Sequence, residues 1–447
     1  MSELPVRFGT DGVRGAANTS ITPEFVLALG RAAGQLLGDG PMLLGRDPRR
    51  SGTLLESALA AGIAAEGRDV VRVGLTSTPA LAWLAATEGR AAAMLSASHN
   101  AFGDNGVKLF APGGTKLDDD VERELEDRLS TLYSDRPAPT ASGAAVGTVS
   151  DHPDPTSAYL AWIVERLDGR RLDGMRIVVD CANGSGSVVA PAALAATGAE
   201  VTVLAAEPDG TNINRGVGST ATEGLARRVV EEGADLGLAL DGDADRLVAI
   251  DDRGGVVDGD HLLALFASDL RDAGRLRDDT VVVTVMTNLG FRLAMESAGI
   301  TVVETAVGDR NVLAALDTNG WTLGGEQSGH LIFNELATTG DGLLCGVLLS
   351  DLVRRSGRSL ADLAAASMTQ LPQVLVNVPV DAGSVDIDDV LADRLSAVED
   401  ELGTTGRVLV RPSGTEPVVR VMVEAPTAEQ AERVADDLAG VLRAATS

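Results

Sequence analysis

The sequence has little of what several classes of protein depend on. Only two of its 447 residues are cysteine, which excludes a disulfide framework and favours a reducing, cytoplasmic location. No apolar run reaches the roughly 18 residues of a membrane span. The N-terminus shows neither the basic nor the apolar region of a signal peptide. Aromatic residues make up 3% of the chain, so Ala, Val and Leu must fill the core.

Positive charge is also scarce. The chain has 37 Lys and Arg residues and 65 Asp and Glu residues, so its net charge is −28. This acidity argues against nonspecific binding to nucleic acid and against docking on anionic lipid. Nearly every cation is an arginine, and the lysines are Lys108 and Lys116. We expect Lys116 to lie at the surface, and any anionic substrate to be bound by local arginines.

Length and pattern indicate a multidomain α/β protein. At about 150 residues per domain the chain has room for roughly three domains, and 45% hydrophobic residues exclude a disordered chain. Short β-branched runs alternate with helical patterns, which is typical of α/β folds with mainly parallel strands. We predict α/β domains over 1–150, 151–253 and 254–368, and a smaller α+β domain over 369–447.

A polar loop follows the apolar strand predicted at 91–95. It reads Ser96-Ala97-Ser98-His99-Asn100, and active loops of parallel sheets lie at the ends of such strands. Its residues suit a nucleophile loop, and a helix-capping loop is the alternative. Lys108 follows soon after. Because a desolvated lysine can lose its proton and an arginine effectively cannot, Lys108 is a candidate general acid or base.

Alternating aspartates follow the apolar strand Leu236–Leu240. Asp241, Asp243 and Asp245 offer only oxygen ligands, which favour Mg²⁺, Mn²⁺ or Ca²⁺. An EF-hand is excluded because its sixth and twelfth positions hold Arg246 and Asp252 rather than Gly and Glu. Three carboxylates leave room for a phosphate in the Mg²⁺ shell, with Arg246 as a charge clamp. A solvated acidic turn is the alternative.

Two later loops suit a phosphorylated sugar. Residues 324–330 (GGEQSGH) combine a carboxylate, an amide, a hydroxyl and an imidazole, a set that suits a polyhydroxy ligand. Residues 411–417 (RPSGTEP), with Arg420 beyond them, combine arginines, hydroxyls and a glycine, as phosphate cradles do. The alternatives are a glycine-rich turn and an ordinary β-turn.

Two further segments resemble known motifs only in part. Asp11-Gly12-Val13 is similar to the nucleophile motif of haloacid-dehalogenase phosphatases, but Gly9 stands where that motif needs a second aspartate. We therefore expect Asp11 not to be a nucleophile, whereas Arg14 can bind an anion. Residues 183–186 (NGSG) resemble a dinucleotide fingerprint that lacks its third glycine, and tight strand-to-helix geometry is the preferred explanation.

Together the motifs resemble the α-D-phosphohexomutase superfamily, in order and spacing, over essentially the whole chain. The segments that carry the resemblance are FGTDGVRG (8–15), SASHN with DNGVKLF (96–110), PDGTNIN (208–214), DGDADR (241–246), VMTNLGF (285–291), VGDR (307–310), GGEQSGH (324–330), TTGDG (338–342) and RPSGTEP (411–417).

The resemblance implies three similar α/β domains with mixed sheets and a C-terminal α+β domain, arranged around a central cleft. It implies a Mg²⁺-dependent mutase that interconverts glucosamine 6-phosphate and glucosamine 1-phosphate for UDP-N-acetylglucosamine synthesis. Glucosamine 1,6-bisphosphate, or glucose 1,6-bisphosphate, would be the intermediate or activator. The alternatives are a phosphomannomutase/phosphoglucomutase and a non-catalytic sugar-phosphate-binding protein. A homodimer, and activation by a kinase or by self-phosphorylation, are also expected.

The resemblance also implies roles for individual residues. Ser98 would be the phosphoserine and, with the three aspartates, a metal ligand. Lys108 is preferred to His330 as the proton carrier, and His99 and Arg14 complete the catalytic group. The expected substrate contacts are Arg246, Arg310, Glu326, Ser328, Arg411, Ser413, Gly414, Thr415 and Arg420. Gln327 favours the amino sugar. The sequence departs from the usual pattern at Ala101, where Pro is usual, and at Asn311, where Tyr is common.

Overall fold

A computed structural model describes residues 4–9, 11–135, 137–380, 387–412 and 418–446, without the side chains of 387–389 and 446. The chain forms two compact units. The first comprises Met1–Val285 and Ile300–Ala365, and the second comprises Met286–Gly299 and Ala366–Ser447.

The first sheet of the first unit has six strands in the order β1-β5-β4-β2-β3-β6. Strands β2, β3, β4 and β6 pair in parallel, and β5 pairs antiparallel with β4 and β1. Its strands are β1 (Val13–Ala16), β2 (Met42–Arg46), β3 (Val70–Leu75), β4 (Ala92–Leu95), β5 (Asp104–Phe110) and β6 (Val149–Asp151). Its helices are α1 (Pro23–Leu36), α2 (Gly52–Ala65), α3 (Thr78–Glu88) and α4 (Asp119–Asp135).

The second sheet has the order β11-β10-β9-β7-β8. It is parallel at β7, β8 and β9 and antiparallel at β10 and β11. Its strands are β7 (Arg176–Asp180), β8 (Glu200–Leu204), β9 (Leu236–Leu240), β10 (Leu247–Asp251) and β11 (Val256–Val257). Its helices are α5 (Ser157–Glu165), α6 (Gly186–Ala196) and α7 (Glu223–Glu232).

The third sheet has the order β13-β12-β14-β15, with only the β14–β15 pair antiparallel. Its strands are β12 (Thr280–Thr284), β13 (Thr301–Thr305), β14 (Leu323–Gly325) and β15 (Leu331–Phe333). The helices of this part of the chain are α8 (Gly259–Asp272), α10 (Asp309–Asn319), α11 (Gly342–Ser356) and α12 (Leu360–Ser367), with α9 left to the second unit.

The second unit has an antiparallel sheet in the order β16-β18-β17. Its elements are α9 (Leu289–Ser297), β16 (Gln373–Pro379), α13 (Ile387–Leu402), β17 (Arg407–Pro412), β18 (Val418–Glu424) and α14 (Ala428–Thr446). Three mixed α/β sheets and a C-terminal α+β part confirm the predicted fold class. The domain boundaries stay a prediction.

Local sequence signals explain where several elements begin and end. Helix α1 starts at Pro23, and the hydroxyl of Thr22 accepts the amide of Phe25, as its N-cap signal predicts. Helix α3 is capped by Ser77 and ends at Gly89 in the left-handed conformation. The predicted strand Leu236–Leu240 agrees with β9 residue for residue, and the strand predicted at 91–95 corresponds to β4 (Ala92–Leu95).

Small residues let an aromatic-poor chain pack tightly. Helices α1 and α2 cross at Gly30 and Gly62, where an added Cβ would overlap the carbonyl oxygens of Leu59 and Leu27. Cys181 and Cys345 are buried and free. Among the described helices, none has the length and apolar character that a bilayer crossing needs.

Gly62→Ala should destabilise the protein because its methyl group would overlap the backbone of α1. We expect the free energy of unfolding to fall by about 1–3 kcal/mol, which is typical of an overpacked contact. Thermal and chemical denaturation would measure the change. Gly224→Ala is the matched control, since a Cβ on this residue of α7 meets no atom within 4 Å. Equal stability of the two variants would contradict the close crossing.

Candidate active site

Ser98 lies in the loop that follows β4 and is completely buried. Its Oγ donates a hydrogen bond to Asp241 Oδ2 over 2.6 Å, and lies 3.3 Å from His99 Nδ1. Its amide donates to Ser96 Oγ over 2.9 Å. The structure therefore places the predicted nucleophile directly against the first of the predicted metal ligands.

Asp241, Asp243 and Asp245 form a compact cluster after β9. One carboxylate oxygen from each lies within 4.8 Å of the others, and all three side chains are buried. Burial and the two neighbouring carboxylates raise the pKa of Asp241 well above its ordinary value. Thr78 holds the middle carboxylate, since its Oγ1 donates to Asp243 Oδ2 over 2.6 Å.

The cluster fits a hard divalent cation. Within the described part of the chain, Asp243 Oδ1 and Asp245 Oδ1 are buried without a hydrogen-bond partner. Buried polar atoms are normally satisfied, so such atoms indicate a missing ligand. The donor set contains only oxygen, which suits Mg²⁺ better than zinc or copper.

Two arginines beside the cluster have unused donors. Nε of Arg14 and Nε of Arg246 are buried without a hydrogen-bond partner among the described residues, although Arg246 Nε lies 3.8 Å from Asp245 Oδ1. Burial, Arg246 and Arg14 together lower the pKa of His99 to about 4, so this imidazole is neutral at pH 7. The site thus combines a carboxylate cluster that fits a cation with two guanidinium groups that have unused Nε donors.

Lys108 lies in the middle of these carboxylates. Its Nζ is 2.8 Å from Asp243 Oδ2, 2.8 Å from Asp245 Oδ2 and 3.0 Å from Asp11 Oδ2. Burial disfavours the ammonium, but the three carboxylates outweigh burial and raise the pKa of Lys108 well above its ordinary value. In this arrangement Lys108 is protonated, so it can donate a proton or bind an anion.

Lys116 was expected at the surface, and this prediction is wrong. Its side chain is 11% exposed, and its Nζ donates to Asp11 Oδ1 over 2.7 Å and to Asp309. A bridge between Phe110 and Lys116 turns the chain back after β5, so both lysines reach one carboxylate cluster. Burial opposes ionisation of Asp11, but Lys108, Lys116 and Arg14 hold its pKa well below the usual range.

The predicted sugar loop (residues 324–330) adjoins the loop of the three aspartates (residues 241–246), which we call the metal loop. Glu326 is half-buried and its Oε1 accepts the amide of Gly308 over 3.0 Å, whereas Ser328 is exposed. His330 Nε2 accepts the amide of Gly340 over 3.0 Å, and its Nδ1 lies 3.7 Å from Asp245 Oδ1. Both ring nitrogens of His330 therefore face protein groups.

The remaining predicted contacts are dispersed. Arg310 Nη1 lies 2.9 Å from Asp119 and 2.5 Å from Glu122, so it binds carboxylates of α4. In the second unit, Arg411 and Arg420 are register partners across β17 and β18, and burial together with Arg420 lowers the pKa of Arg411. Ser413, Gly414 and Thr415 lie outside the described residues.

Sequence reasoning missed four residues that hold the site: Asp47, Arg49, Thr78 and Asn214. Arg49 is almost completely buried, and its guanidinium donates to carbonyl oxygens of the Ser98 loop. The rule that polar residues at strand ends form active loops applies equally to Asp47 and Arg49, which follow β2. Asn214 is the last residue of the PDGTNIN segment (208–214), but nothing in that segment marks it as a neighbour of Ser98.

Replacing one aspartate should weaken cation binding. Asp243→Asn removes a charge and an anionic oxygen from the cluster, so we expect the affinity for Mn²⁺, a spectroscopic substitute for Mg²⁺, to fall on the order of tenfold or more. Electron paramagnetic resonance titration of free Mn²⁺ would measure it. Asp173→Asn is the control, since Asp173 is an exposed carboxylate of the same unit. Unchanged Mn²⁺ binding by Asp243→Asn would argue against the site.

Four related domain families together match most of the chain. Residues 5–136, 157–255 and 258–371 match the phosphoglucomutase/phosphomannomutase alpha/beta/alpha domains I, II and III. Residues 375–441 match the phosphoglucomutase/phosphomannomutase C-terminal domain.

Solved structures show the same fold. A phosphoglucomutase/phosphomannomutase family protein from Burkholderia thailandensis superposes with a TM-score of 0.82 at 25% identity, covering 100% of this chain and 98% of that one. An N-acetylphosphoglucosamine mutase from Aspergillus fumigatus, solved with GlcNAc-6P and magnesium, has a TM-score of 0.70 at 19% identity, covering 99% and 96%. At that identity the likeness shows the fold alone.

Curated relatives narrow the family. The phosphoglucosamine mutase of Rhodococcus opacus is 52% identical over 443 residues, which cover 97% of this chain and 98% of that protein. The phosphoglucosamine mutase of Saccharopolyspora erythraea is 53% identical over 445 residues, covering 98% and 99%. With the aspartate cluster, the buried serine and four matching domains on one chain, the protein belongs to the phosphoglucosamine mutase family of the phosphohexomutase superfamily.

Proposed function

We propose that this chain interconverts glucosamine 6-phosphate and glucosamine 1-phosphate, on the route to UDP-N-acetylglucosamine. The observation that carries this function is the contact between Ser98 Oγ and Asp241, inside a buried cluster of three aspartates. A serine in that position can carry a phosphoryl group whose oxygens share a cation with the aspartates. The whole-chain identity to phosphoglucosamine mutases supports the same substrate.

The reaction is an exchange of a phosphoryl group for a proton. In the first half, the bond between phosphorus and Ser98 Oγ breaks, and the sugar hydroxyl oxygen forms the new bond. The electron pair of the broken bond stays on Ser98 Oγ, and the proton of the sugar hydroxyl balances it. The resulting 1,6-bisphosphate turns around, and its other phosphoryl group returns to Ser98 by the reverse of the same exchange.

Charge neutralisation is the main task of the surrounding residues. Phosphoryl transfer depends on positioning and on electrostatic stabilisation of the phosphoryl oxygens. Arg14 and Arg246 offer buried guanidinium donors, and Lys108 offers an ammonium group held at its place by three carboxylates. Mg²⁺ held by the three aspartates and the Ser98 phosphate would supply further positive charge to those oxygens.

Lys108 remains the proposed proton carrier. His330 is less suited because its nitrogens face Gly340 and Asp245 rather than open space. In its protonated state Lys108 can return a proton, and it can accept one only when the charge of the neighbouring aspartates is neutralised. His99 is neutral and close to Ser98 Oγ, so it can accept a hydrogen bond there.

The substrate contacts are part of the proposal. Glu326 and Ser328 would bind sugar hydroxyls, and Arg246 and Arg310 would contact the substrate. Arg310 would have to exchange its present carboxylate partners for a substrate oxygen. The distal phosphate would be bound by the loop that contains Arg411, Ser413, Gly414, Thr415 and Arg420. The four-domain division, a homodimer, a cytoplasmic location and activation by a kinase or by self-phosphorylation also stay predictions.

A phosphomannomutase/phosphoglucomutase is the second candidate, because the four domain families carry that name. The decisive assay contains Mg²⁺ and a trace of hexose 1,6-bisphosphate, and compares kcat/KM for glucosamine 6-phosphate, glucose 6-phosphate and mannose 6-phosphate. We expect the amino sugar to be preferred by on the order of tenfold or more, as recognition of a polar substituent allows. Equal or better turnover of the neutral sugars would overturn the substrate and keep the mechanism.

Ser98→Ala should nearly abolish turnover while sugar phosphate still binds. Loss of the nucleophile typically lowers kcat by on the order of a thousandfold or more. Steady-state kinetics and calorimetric titration would separate the two effects, and mass spectrometry should find the phosphate on Ser98 in the wild type. Ser57→Ala, in the exposed part of α2, is the control. Full activity of Ser98→Ala would refute the phosphoserine mechanism.

A further inference from the structure

The backbone of Ser98 is held more firmly than its side chain requires. Its φ is +51°, in the left-handed region that residues other than glycine rarely adopt. Its carbonyl oxygen accepts hydrogen bonds from Arg49 Nη2 over 2.8 Å and from Asn214 Nδ2 over 2.9 Å. Its amide donates to Ser96 Oγ over 2.9 Å. Side chains therefore hold both the carbonyl and the amide of Ser98: Arg49 and Asn214 act from outside the loop, and Ser96 acts from within it.

Arg49 also forms hydrogen bonds with other residues of this segment. The same guanidinium donates to the carbonyl oxygens of Asn100 over 2.9 Å, Asp104 over 3.1 Å and Ala101. Its side chain is completely buried, which is costly for a cation unless its donors are all used. Apart from the bond to Asp47, its side-chain hydrogen bonds go to backbone oxygens of the loop and of Asp104, the first residue of β5, so the arginine holds the shape of this segment.

Asp47 holds the guanidinium of Arg49 in place. Its Nε donates to Asp47 Oδ2 over 2.8 Å, and Ser96 Oγ donates to the same oxygen over 2.8 Å. The hydroxyl that receives the Ser98 amide thus belongs to the network that holds the Ser98 carbonyl. This closed network leaves the Ser98 backbone little freedom to rotate.

Asn214, in the connection between β8 and α7, binds the same carbonyl. Its Nδ2 also donates to Asn100 O over 3.0 Å. A Cβ on Gly242, beside Asp241, would lie 2.5 Å from Ser98 O and 2.9 Å from Asn214 Nδ2. The Ser98 carbonyl, the Asn214 amide and the metal loop are therefore packed against one another.

We propose that Arg49 and Asn214 are positioning residues that keep Ser98 Oγ in one place through both phosphoryl transfers. This inference rests on the proposed function. Between the two transfers the serine carries no phosphate. For the return transfer, Ser98 Oγ must therefore still occupy the position that it had in the first transfer. A displacement of about 1 Å can slow such a step by on the order of a hundredfold.

Loss of this positioning should change the fraction of the bisphosphate intermediate that is released instead of returning a phosphoryl group to Ser98. A Ser98 whose position is no longer fixed slows the return transfer, but it does not slow dissociation of the bisphosphate from the site. More bisphosphate then escapes for each product formed, and each escape leaves an enzyme without its phosphate. Added bisphosphate would restore the phosphoserine, by transferring one phosphoryl group to Ser98 Oγ and leaving a sugar monophosphate.

The test uses enzyme phosphorylated on Ser98 with no added bisphosphate. The measured quantities are bisphosphate released per product and turnovers completed before activity stops, by quenched-flow sampling and phosphorus NMR. Asn214→Gly removes the amide and tolerates the local φ of +56°. Arg49→Lys keeps the charge beside Asp47 but loses the forked donor geometry. We expect each variant to release on the order of tenfold more bisphosphate per product, with activity regained on adding glucose 1,6-bisphosphate.

Asn18→Gly is the matched control, since Asn18 is an exposed asparagine with φ of +58°. It should release no more bisphosphate than the wild type. A purely structural role would lower the folded fraction and leave the release ratio unchanged. An unchanged ratio in Asn214→Gly overturns the inference, even if Arg49→Lys fails to fold. Wild-type enzyme that turns over none of the sugar phosphates would contradict the proposed function instead.

Discussion

Repulsion among buried carboxylates is the constraint around which the first unit is organised. Asp241, Asp243 and Asp245 place three negative groups within 4.8 Å of one another, out of contact with water. Burying an ion costs several kcal/mol unless opposite charge compensates it. Lys108 and nearby arginines provide that charge from within the unit, and the remaining unpartnered oxygens and guanidinium nitrogens favour a cation and a phosphate as the other components.

The same constraint connects the three sheets of that unit. Lys108 comes from β5 of the first sheet, the aspartates follow β9 of the second, and His330 precedes β15 of the third. The backbone of a loop can approach a loop from another sheet closely at a glycine, because no side chain stands between them. A Cβ on Gly340 would lie 2.7 Å from Asp245 O and 2.6 Å from His330 Nε2. The many glycines in the motifs therefore allow contact between loops as much as they allow turns.

Much of the fold was predictable because its signals are local. Strands β4 and β9 follow directly from their apolar runs, and Ser98 and the aspartates follow from the rule that active loops lie at strand ends. Helix α9 was not identified, because nine residues between two strands give a weak period. Lys116 was misplaced, because only the chain reversal after β5 shows that it faces Asp11.

By itself, the sequence determined most of the elements, the family and the chemical types in each loop, since short-range periodicity and motif identity need no distant contact. Only the tertiary structure decided which charges meet. That Lys108 is held protonated by Asp11, Asp243 and Asp245 depends on contacts between segments that lie far apart in the sequence, 137 residues in the case of Asp245. The role of Arg49 likewise depends on burial behind the loop that contains Ser98, which lies 49 residues later, because an arginine in water would make none of those bonds stably.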